Sequence, residues 1–156
     1  MTIQITRTLV AGVLVAMIGI VFPACAEQAR DIKEAYREGE HIVAVKALLE
    51  KMPKSVVGET IAYPGGTPAE ITAAIITLSP GQKTSWHKHG VPLFAYMLSG
   101  VLDVDYGDQG IRSYPAGTAF MEAMDHRHRG INNSDMPASV LVVYLGAAGL
   151  KNVIRE

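Results

Sequence analysis

Four of the five histidines fall into two His-x-His pairs, His87/His89 and His126/His128. Side chains two residues apart on a β-strand point to the same side of the strand. Each pair can therefore direct two imidazoles into one interior, and imidazole nitrogen is a good ligand for zinc, copper, iron and nickel. The spacing predicts a metal site that is built on three or four histidines.

The sequence around these histidines predicts short strands separated by turns, and these strands must position the imidazole rings. Runs rich in β-forming residues cover 71–78, 93–98, 101–106 and 138–145, and glycine, proline, asparagine and aspartate cluster between them. Strands of five to eight residues with turns at this spacing are typical of a β-sandwich or β-barrel. The sequence therefore predicts an all-β fold, in which the histidines lie on or beside strands.

One stretch of the chain resembles the first sequence motif of the cupin superfamily, G-x5-H-x-H-x3,4-E-x6-G. The residues that fit its spacing are Gly81, His87, His89, Leu93 and Gly100. A second cupin motif, roughly G-x5-P-x-G-x2-H-x3-N, is matched more loosely, with one residue fewer at its start and its histidine further downstream. Its counterparts are Gly110, Pro115, Gly117, His128 and Asn132. The resemblance covers about residues 59–145.

The resemblance implies a jelly-roll (cupin) β-barrel with a metal in its mouth, and dimers are frequent in this family. It also implies that His87, His89 and His128 are metal ligands. Leu93 stands where most metal-binding cupins carry a glutamate ligand, and a leucine side chain cannot coordinate a metal. In this respect the sequence is similar to the three-histidine cupins, such as the thiol dioxygenases.

Three further residues are candidates for the site. His126 lies two positions before His128 and is a candidate fourth ligand, or else a polar residue at the rim. Glu122 is a candidate fourth ligand or general base, and Tyr96 is a candidate proton donor or acceptor. Five apolar residues are candidates to line the pocket: Leu93, Met97, Phe120, Met121 and Met124.

Two kinds of chemistry are compatible with a metal on three neutral imidazoles. Iron(II) would suit a small-molecule dioxygenase, and zinc would suit hydrolysis or related chemistry; copper, nickel and manganese are further candidates. The alternative is a non-catalytic periplasmic cupin that binds a metal or a small ligand, and a third hypothesis is a barrel that holds no metal. The sequence does not decide whether the protein is an enzyme.

The N-terminus has the pattern of a signal peptide over residues 1–26. Arg7 is the only charged residue there, an apolar run covers 9–22, and Ala24-Cys25-Ala26 offers a small-x-small cleavage site. Fourteen apolar residues are fewer than the ~20 that a spanning helix needs. We expect export to the periplasm or beyond, with no stable membrane insertion after cleavage. An uncleaved anchor and a lipoprotein acylated at Cys25 are the alternatives.

The remaining 130 residues suit one domain. We expect a helical or extended lead-in over 27–52, the barrel over 53–150 and a C-terminal tail over 151–156. The formal net charge is -1, with 14 Lys and Arg against 15 Asp and Glu, so the chain lacks the basic surface that nucleic acid requires. The expected partners are a small-molecule ligand or substrate and, in a homodimer, a second copy of the chain.

Overall fold

A computed structural model describes residues 37–38, 41–42, 46–63 and 65–155. The chain divides into two compact units, Met1–Val45 and Lys46–Glu156. In the first unit, β1 (Arg37–Glu38) pairs antiparallel with β2 (His41–Ile42). The expected signal peptide and much of the expected lead-in lie outside the described residues. Among the described residues, no helix has the length and hydrophobicity needed to cross a bilayer.

The second unit is built from strands, and its described residues contain no α-helix. A single turn of 3-10 helix, Gly107–Gln109, lies between two of the strands. The strands are β3 (Ala69–Leu78), β4 (His87–Lys88), β5 (Leu93–Ser99), β6 (Val101–Asp105), β7 (Ile111–Pro115), β8 (Ala119–Met121), β9 (Arg129–Ile131), β10 (Ala138–Ala147) and β11 (Ile154–Arg155). The prediction of an all-β fold is confirmed.

The larger sheet has the strand order β3-β10-β5-β8, with every pair of neighbours antiparallel. Side chains alternate along β10, where Ala138, Val140, Val142 and Tyr144 are buried and the residues between them are half-buried. This period of two follows from the pleat of a strand with one face on the core. The first strand, β3, is an edge strand and is largely exposed.

The smaller sheet has the order β7-β6-β9. Its buried residues Leu102 and Val104 face the same apolar core as the larger sheet. One cavity lies between the two sheets, and its lining combines residues of both with Thr84, His87 and His89. Two antiparallel sheets around one cavity form the arrangement expected of a small barrel, and that cavity is where the histidines meet.

The hairpin from β5 to β6 shows why one motif position must be glycine. Gly100 has a φ of +70°, which L side chains rarely adopt. A Cβ at this position would also lie 2.6 Å from the carbonyl oxygen of Pro137. Any larger residue would therefore strain the turn and push apart the chain segments that join the two sheets.

The expected C-terminal tail contains the last strand of the barrel. In β11, Ile154 pairs with Lys88 and Arg155 pairs with His87. This pairing places Asn152 beside His89, whose side chain it contacts. The C-terminal residues thus lie against the segment that carries two of the candidate metal ligands.

Candidate metal centre

Three of the four paired histidines come together inside the barrel. His87 lies in β4, His89 follows this strand directly, and His128 forms a two-hydrogen-bond bridge with the backbone of His87. The ring centroids are 4.6 to 5.0 Å apart. One nitrogen from each ring belongs to a group whose members all lie within 4.8 Å of one another. The three residues expected as ligands are therefore the ones that the fold brings together.

Backbone carbonyl groups fix the orientation and the tautomer of all three rings. Nδ1 of His87 lies 2.8 Å from the carbonyl oxygen of Ser85, Nδ1 of His89 lies 3.0 Å from that of Asn152, and Nδ1 of His128 lies 2.9 Å from that of His126. A carbonyl oxygen only accepts hydrogen bonds, so each Nδ1 carries the proton and donates it. Each neutral ring therefore presents an unprotonated Nε2.

The unprotonated Nε2 atoms converge in the centre of the cluster. Nε2 of His89 lies 3.2 Å from Nε2 of His128, and neither nitrogen carries a proton in the neutral tautomers. Two lone pairs at this distance repel each other unless a cation lies between them. Three convergent imidazole nitrogens with carbonyl-bound Nδ1 atoms are the usual arrangement of histidine metal ligands. The donor set thus fits a divalent transition metal.

Burial keeps the three rings neutral. Desolvation, together with the nearby His128, lowers the pKa of His89 to about 3 against the opposing hydrogen bond to Asn152. Desolvation also lowers the pKa of His87 and that of His128. The Tyr144 ring packs against His89 in a T-shaped arrangement, with centroids 5.6 Å apart. A low pKa favours metal binding, because a ring must lose its second proton before it can coordinate.

Glu122 is buried beside the histidines and lines the same cavity. Its Oε1 accepts hydrogen bonds from the hydroxyl of Tyr106 at 2.6 Å and from the N–H of Ala123 at 2.8 Å. The Tyr106 hydroxyl also lies 3.1 Å from that of Tyr114. Burial raises the pKa of the Glu122 carboxyl to about 7, although these two hydrogen bonds oppose the shift. Glu122 is therefore poised to exchange a proton near neutral pH.

Glu122 does not belong to the group of mutually close ligand atoms, which contains only the three histidines among the described residues. Its Oε1 is already bound to Tyr106 and Ala123. In the part of the chain that the structure describes, no hydrogen bond to Oε2 is found. This arrangement suits a general acid or base better than a fourth ligand.

Two other candidate residues lie away from the cluster. Nε2 of His126 is 2.7 Å from the carbonyl oxygen of Tyr106 and 3.5 Å from a carboxylate oxygen of Asp108. Its side chain therefore points to the edge of the smaller sheet, while its backbone carbonyl holds His128. Tyr96 alternates along β5 with the cavity-lining residues Leu93 and Ala95, so it lies on the other face of the sheet.

The wall of the cavity is mainly apolar, and its volume is about 70 Å³. Of the five apolar candidates, Leu93 and Phe120 line it, whereas Met97, Met121 and Met124 do not. Met97 is fully buried in the core instead. Glu122 is the one carboxyl group in the lining that the structure describes, and the remaining apolar members are Ile76, Leu78, Ala95, Leu102, Val104, Val140 and Val142.

Comparison with protein families identifies the fold to which this site belongs. Residues 74–144 match the family model of the cupin domain. This segment is a cupin domain. The match includes the three histidines, Glu122 and most of both sheets. It leaves out the first half of β3, the end of β10, the preceding segment and the C-terminal strand β11. No curated protein matches the chain.

Several solved structures are similar to this cupin domain over part of its length. A Cupin 2 conserved barrel domain protein from Salinispora arenicola is 20% identical, with 56% of this chain and 72% of that chain covered and a TM-score of 0.46. An oxalate decarboxylase from Lactobacillus farciminis is 22% identical, with 55% and 26% covered and a TM-score of 0.47. A DMSP lyase from Ruegeria pomeroyi is 18% identical, with 54% and 42% covered and a TM-score of 0.47. The chain spans less than half of the lyase and about a quarter of the decarboxylase.

Leu93, at the glutamate position of the cupin motif, lies next to the one carboxyl group in the described cavity lining, that of Glu122. Leu93 is buried at the position where the motif has a glutamate, and its carbonyl oxygen accepts a hydrogen bond from the N–H of Glu122 at 2.9 Å. Glu122, which directly follows β8, is thus a neighbour of Leu93 on the adjacent strand β5. The cavity of this cupin keeps a carboxyl group, but one that enters from the end of β8 instead of from β5.

Several contacts of the site could not be found from the sequence. The carbonyl groups of Ser85, His126 and Asn152 carry no side-chain signal, and Asn152 is 63 residues from the histidine that it contacts. In the sequence, Tyr106 ends the predicted strand 101–106, and Tyr114 lies in none of the predicted strands. Their separation of eight residues across a hairpin, with Leu102 opposite Tyr114, is the one feature that places both near the core.

Proposed function

We propose that this cupin domain binds one divalent metal ion through Nε2 of His87, His89 and His128 and transforms a small, partly apolar molecule there. Oxygen-dependent oxidation on iron(II) is the reaction to test first. The observation that carries the proposal is the tautomer of the three rings. Each Nδ1–H donates to a backbone carbonyl, and three lone pairs therefore face one point.

In such a reaction, the apolar wall and the three neutral imidazoles set the environment of the metal and of the bound ligand. A bound divalent metal with open positions would supply Lewis acidity and, in the case of iron(II), redox chemistry. The apolar wall excludes water from a ligand that enters the cavity, which strengthens electrostatic interactions inside it. Because the three imidazoles are neutral, they leave the full positive charge of the metal to attract an anionic or strongly polar group of the ligand.

Glu122 is the residue to which we assign proton transfer. Tyr106 and Ala123 hold Oε1, so the carboxyl group has a fixed orientation in the cavity. Its pKa of about 7 lets it act as a base or as an acid at neutral pH. It can accept a proton from a bound substrate and return it to the product. Tyr96, on the other face of β5, has no part in this assignment.

The cavity limits the size of the substrate. A volume of about 70 Å³ corresponds to a handful of water-sized groups. The substrate class that fits has one polar end, directed to the histidines and Glu122, and a short apolar body against residues such as Val140 and Phe120. Large sugars and peptides exceed this space.

A non-catalytic metal- or ligand-binding cupin is the second candidate. The observation that favours it is Leu93, which occupies the ligand position of the motif and adds to the mainly apolar wall. In this case the cavity would bind a ligand and leave it unchanged. Turnover therefore decides between the two functions.

The test uses untagged protein that has been loaded with iron(II) and screened for oxygen consumption against small acids, thiols and alcohols. We expect consumption that depends on the added compound and that is lost in Glu122→Gln, a variant that still binds iron. The matched control is Glu70→Gln, which changes an exposed carboxylate on β3. If the iron-loaded protein binds compounds but consumes no oxygen with any of them, the binding function replaces the oxidation.

We also propose export to the periplasm or beyond, supported by Arg7, the apolar run 9–22 and the Ala24-Cys25-Ala26 sequence. Sequencing of the N-terminus of the protein from a periplasmic fraction tests this directly. A start at Glu27 supports cleavage, whereas a membrane-bound product that keeps Met1 contradicts it. The expected homodimer stays a prediction, for which sedimentation of the full chain is the test.

A further inference from the structure

One carboxylate outside the cupin-family match is bound to the loop that carries the metal site. Residues 122–128 connect β8 to β9, with Glu122 at one end of the loop and His128 at the other. Glu59 reaches this loop from the turn that precedes β3. Its Oε1 accepts the N–H of His126 at 2.9 Å, and its Oε2 accepts the N–H of Met124 at 2.7 Å.

The two residues that Glu59 binds are the same two that hold the histidines. The carbonyl oxygen of Met124 accepts the backbone N–H of His89 at 2.8 Å. The carbonyl oxygen of His126 accepts Nδ1–H of His128 at 2.9 Å. Each of these peptide segments is therefore fixed on one side by Glu59 and on the other side by a ligand of the proposed metal.

The turn that carries Glu59 is itself well anchored. Ser55 is buried, and its hydroxyl donates to Oε2 of Glu59 at 2.9 Å. The backbone N–H of Ser55 donates to the carbonyl oxygen of Glu59 at 2.9 Å. Next to it, the N–H of Val56 donates to the carbonyl oxygen of Met121 in β8 at 2.9 Å. The carboxylate is thus held rigidly enough to fix the loop.

We propose that Glu59 is a positioning residue for the metal centre: it binds the amides of Met124 and His126 and thereby sets the position of His89 and His128. This inference rests on the proposed function, because it assigns a purpose to Glu59 only if the histidines bind metal. Glu59 precedes residue 74, where the family match begins. The feature therefore lies outside the residues that the family model matches.

The chemistry of the contact makes glutamine an informative replacement. A carboxylate offers two acceptor oxygens, and hydrogen bonds from N–H groups to an ionised oxygen are stronger than those to a neutral one. Glutamine has the same length, but its amide nitrogen is a donor and would face a donor of the loop. Glu59→Gln therefore removes one of the two loop contacts and weakens the other, with little change in volume.

The first measurement is the affinity for cobalt(II) or manganese(II), followed by optical or electron paramagnetic resonance spectra of the bound ion. We expect Glu59→Gln to lower the affinity roughly 10- to 100-fold, as loss of an outer-shell partner typically does, and to change the spectrum. Ser55→Ala, which removes one hydrogen bond to the same carboxylate, should have a smaller effect in the same direction. Glu70→Gln should match the wild type. Wild-type affinity and spectrum in Glu59→Gln would overturn the proposal.

The second measurement separates this inference from the proposed function. Hydrogen exchange of the Met124 and His126 amides in metal-free protein reports the contact without any metal. We expect faster exchange at these two amides in Glu59→Gln, with amides of β10 unchanged. If the wild type binds no metal, the proposed function fails, and exchange alone decides whether Glu59 holds the loop. Unchanged exchange rates would overturn that contact as well.

Discussion

The two His-x-His segments have the same spacing but different outcomes. In the first, His87 and His89 both direct their rings into the cavity. In the second, only His128 does so, whereas the ring of His126 lies against the carbonyl oxygen of Tyr106. The reason is local backbone structure, because His128 pairs with β4 but His126 lies in a bend of the 122–128 loop.

The difference shows that an i, i+2 rule holds only where the chain is extended. His126 still contributes to the site, but through its backbone carbonyl, which orients His128. The same residue type at the same spacing is thus a ligand in one segment and a supporting residue in the other. The first of three predictions tests this contrast directly.

The largest effect is expected for metal binding by the four paired histidines. His87→Ala, His89→Ala and His128→Ala should each reduce affinity by more than the roughly 10- to 100-fold that loss of an outer-shell partner costs. His126→Ala should bind nearly as the wild type does, because the variant keeps the backbone carbonyl. Isothermal titration with zinc or cobalt measures this difference. Equal losses in His126→Ala and His128→Ala would show that both segments ligate.

A second effect is expected when the metal-free protein is acidified. The folded state keeps His89 neutral with a pKa of about 3, whereas an unfolded chain takes up the proton near 6.5. The contribution of His89 to stability is therefore complete above pH 6.5 and is lost as the pH falls toward 3, by at most about 5 kcal/mol. Urea unfolding of the wild type and of His89→Phe measures this slope. An identical slope in the variant would contradict the assignment.

The smallest effect has the opposite sign and concerns Glu122. Burial raises the pKa of its carboxyl from 4.5 to about 7, so the folded state binds this proton more tightly than the unfolded chain does. The associated stability is complete below pH 4.5 and is lost as the pH rises through 7, by about 3 kcal/mol.

Glu122→Gln tests this in metal-free protein, because glutamine retains an acceptor oxygen for Tyr106 and Ala123. The variant should match the wild type near pH 4 and exceed its unfolding free energy at pH 8. A wild type that is equally or more stable than the variant at pH 8 would show that the carboxylate is not penalised by burial.

Four strands of the barrel and the clustering of three histidines could be anticipated because their signals are local. The runs that became β3, β5, β6 and β10 are rich in β-branched, aromatic or other apolar residues and end at turns, and Gly100 marks the tight reversal between two of them. The order of the strands in the sheets and the pairing of β11 with β4 depend on contacts between distant residues. No local pattern reports such contacts.

The supporting contacts of the site were harder to anticipate for the same reason. Glu59 contacts amides more than 60 residues away, and in the sequence it is one acidic residue among many. Backbone carbonyls, such as that of Asn152, are present at every position and carry no sequence signal. The tautomers of the three histidines, on which the metal proposal rests, therefore required a structure.

The central claim is that His87, His89 and His128 hold one divalent metal ion. Elemental analysis of the untagged protein, followed by metal titration of the stripped protein, tests it most directly. We expect close to one equivalent of a divalent transition metal per chain, with iron favouring oxidation and zinc or copper favouring other chemistry. A protein that contains no metal and takes up none on titration would contradict the account.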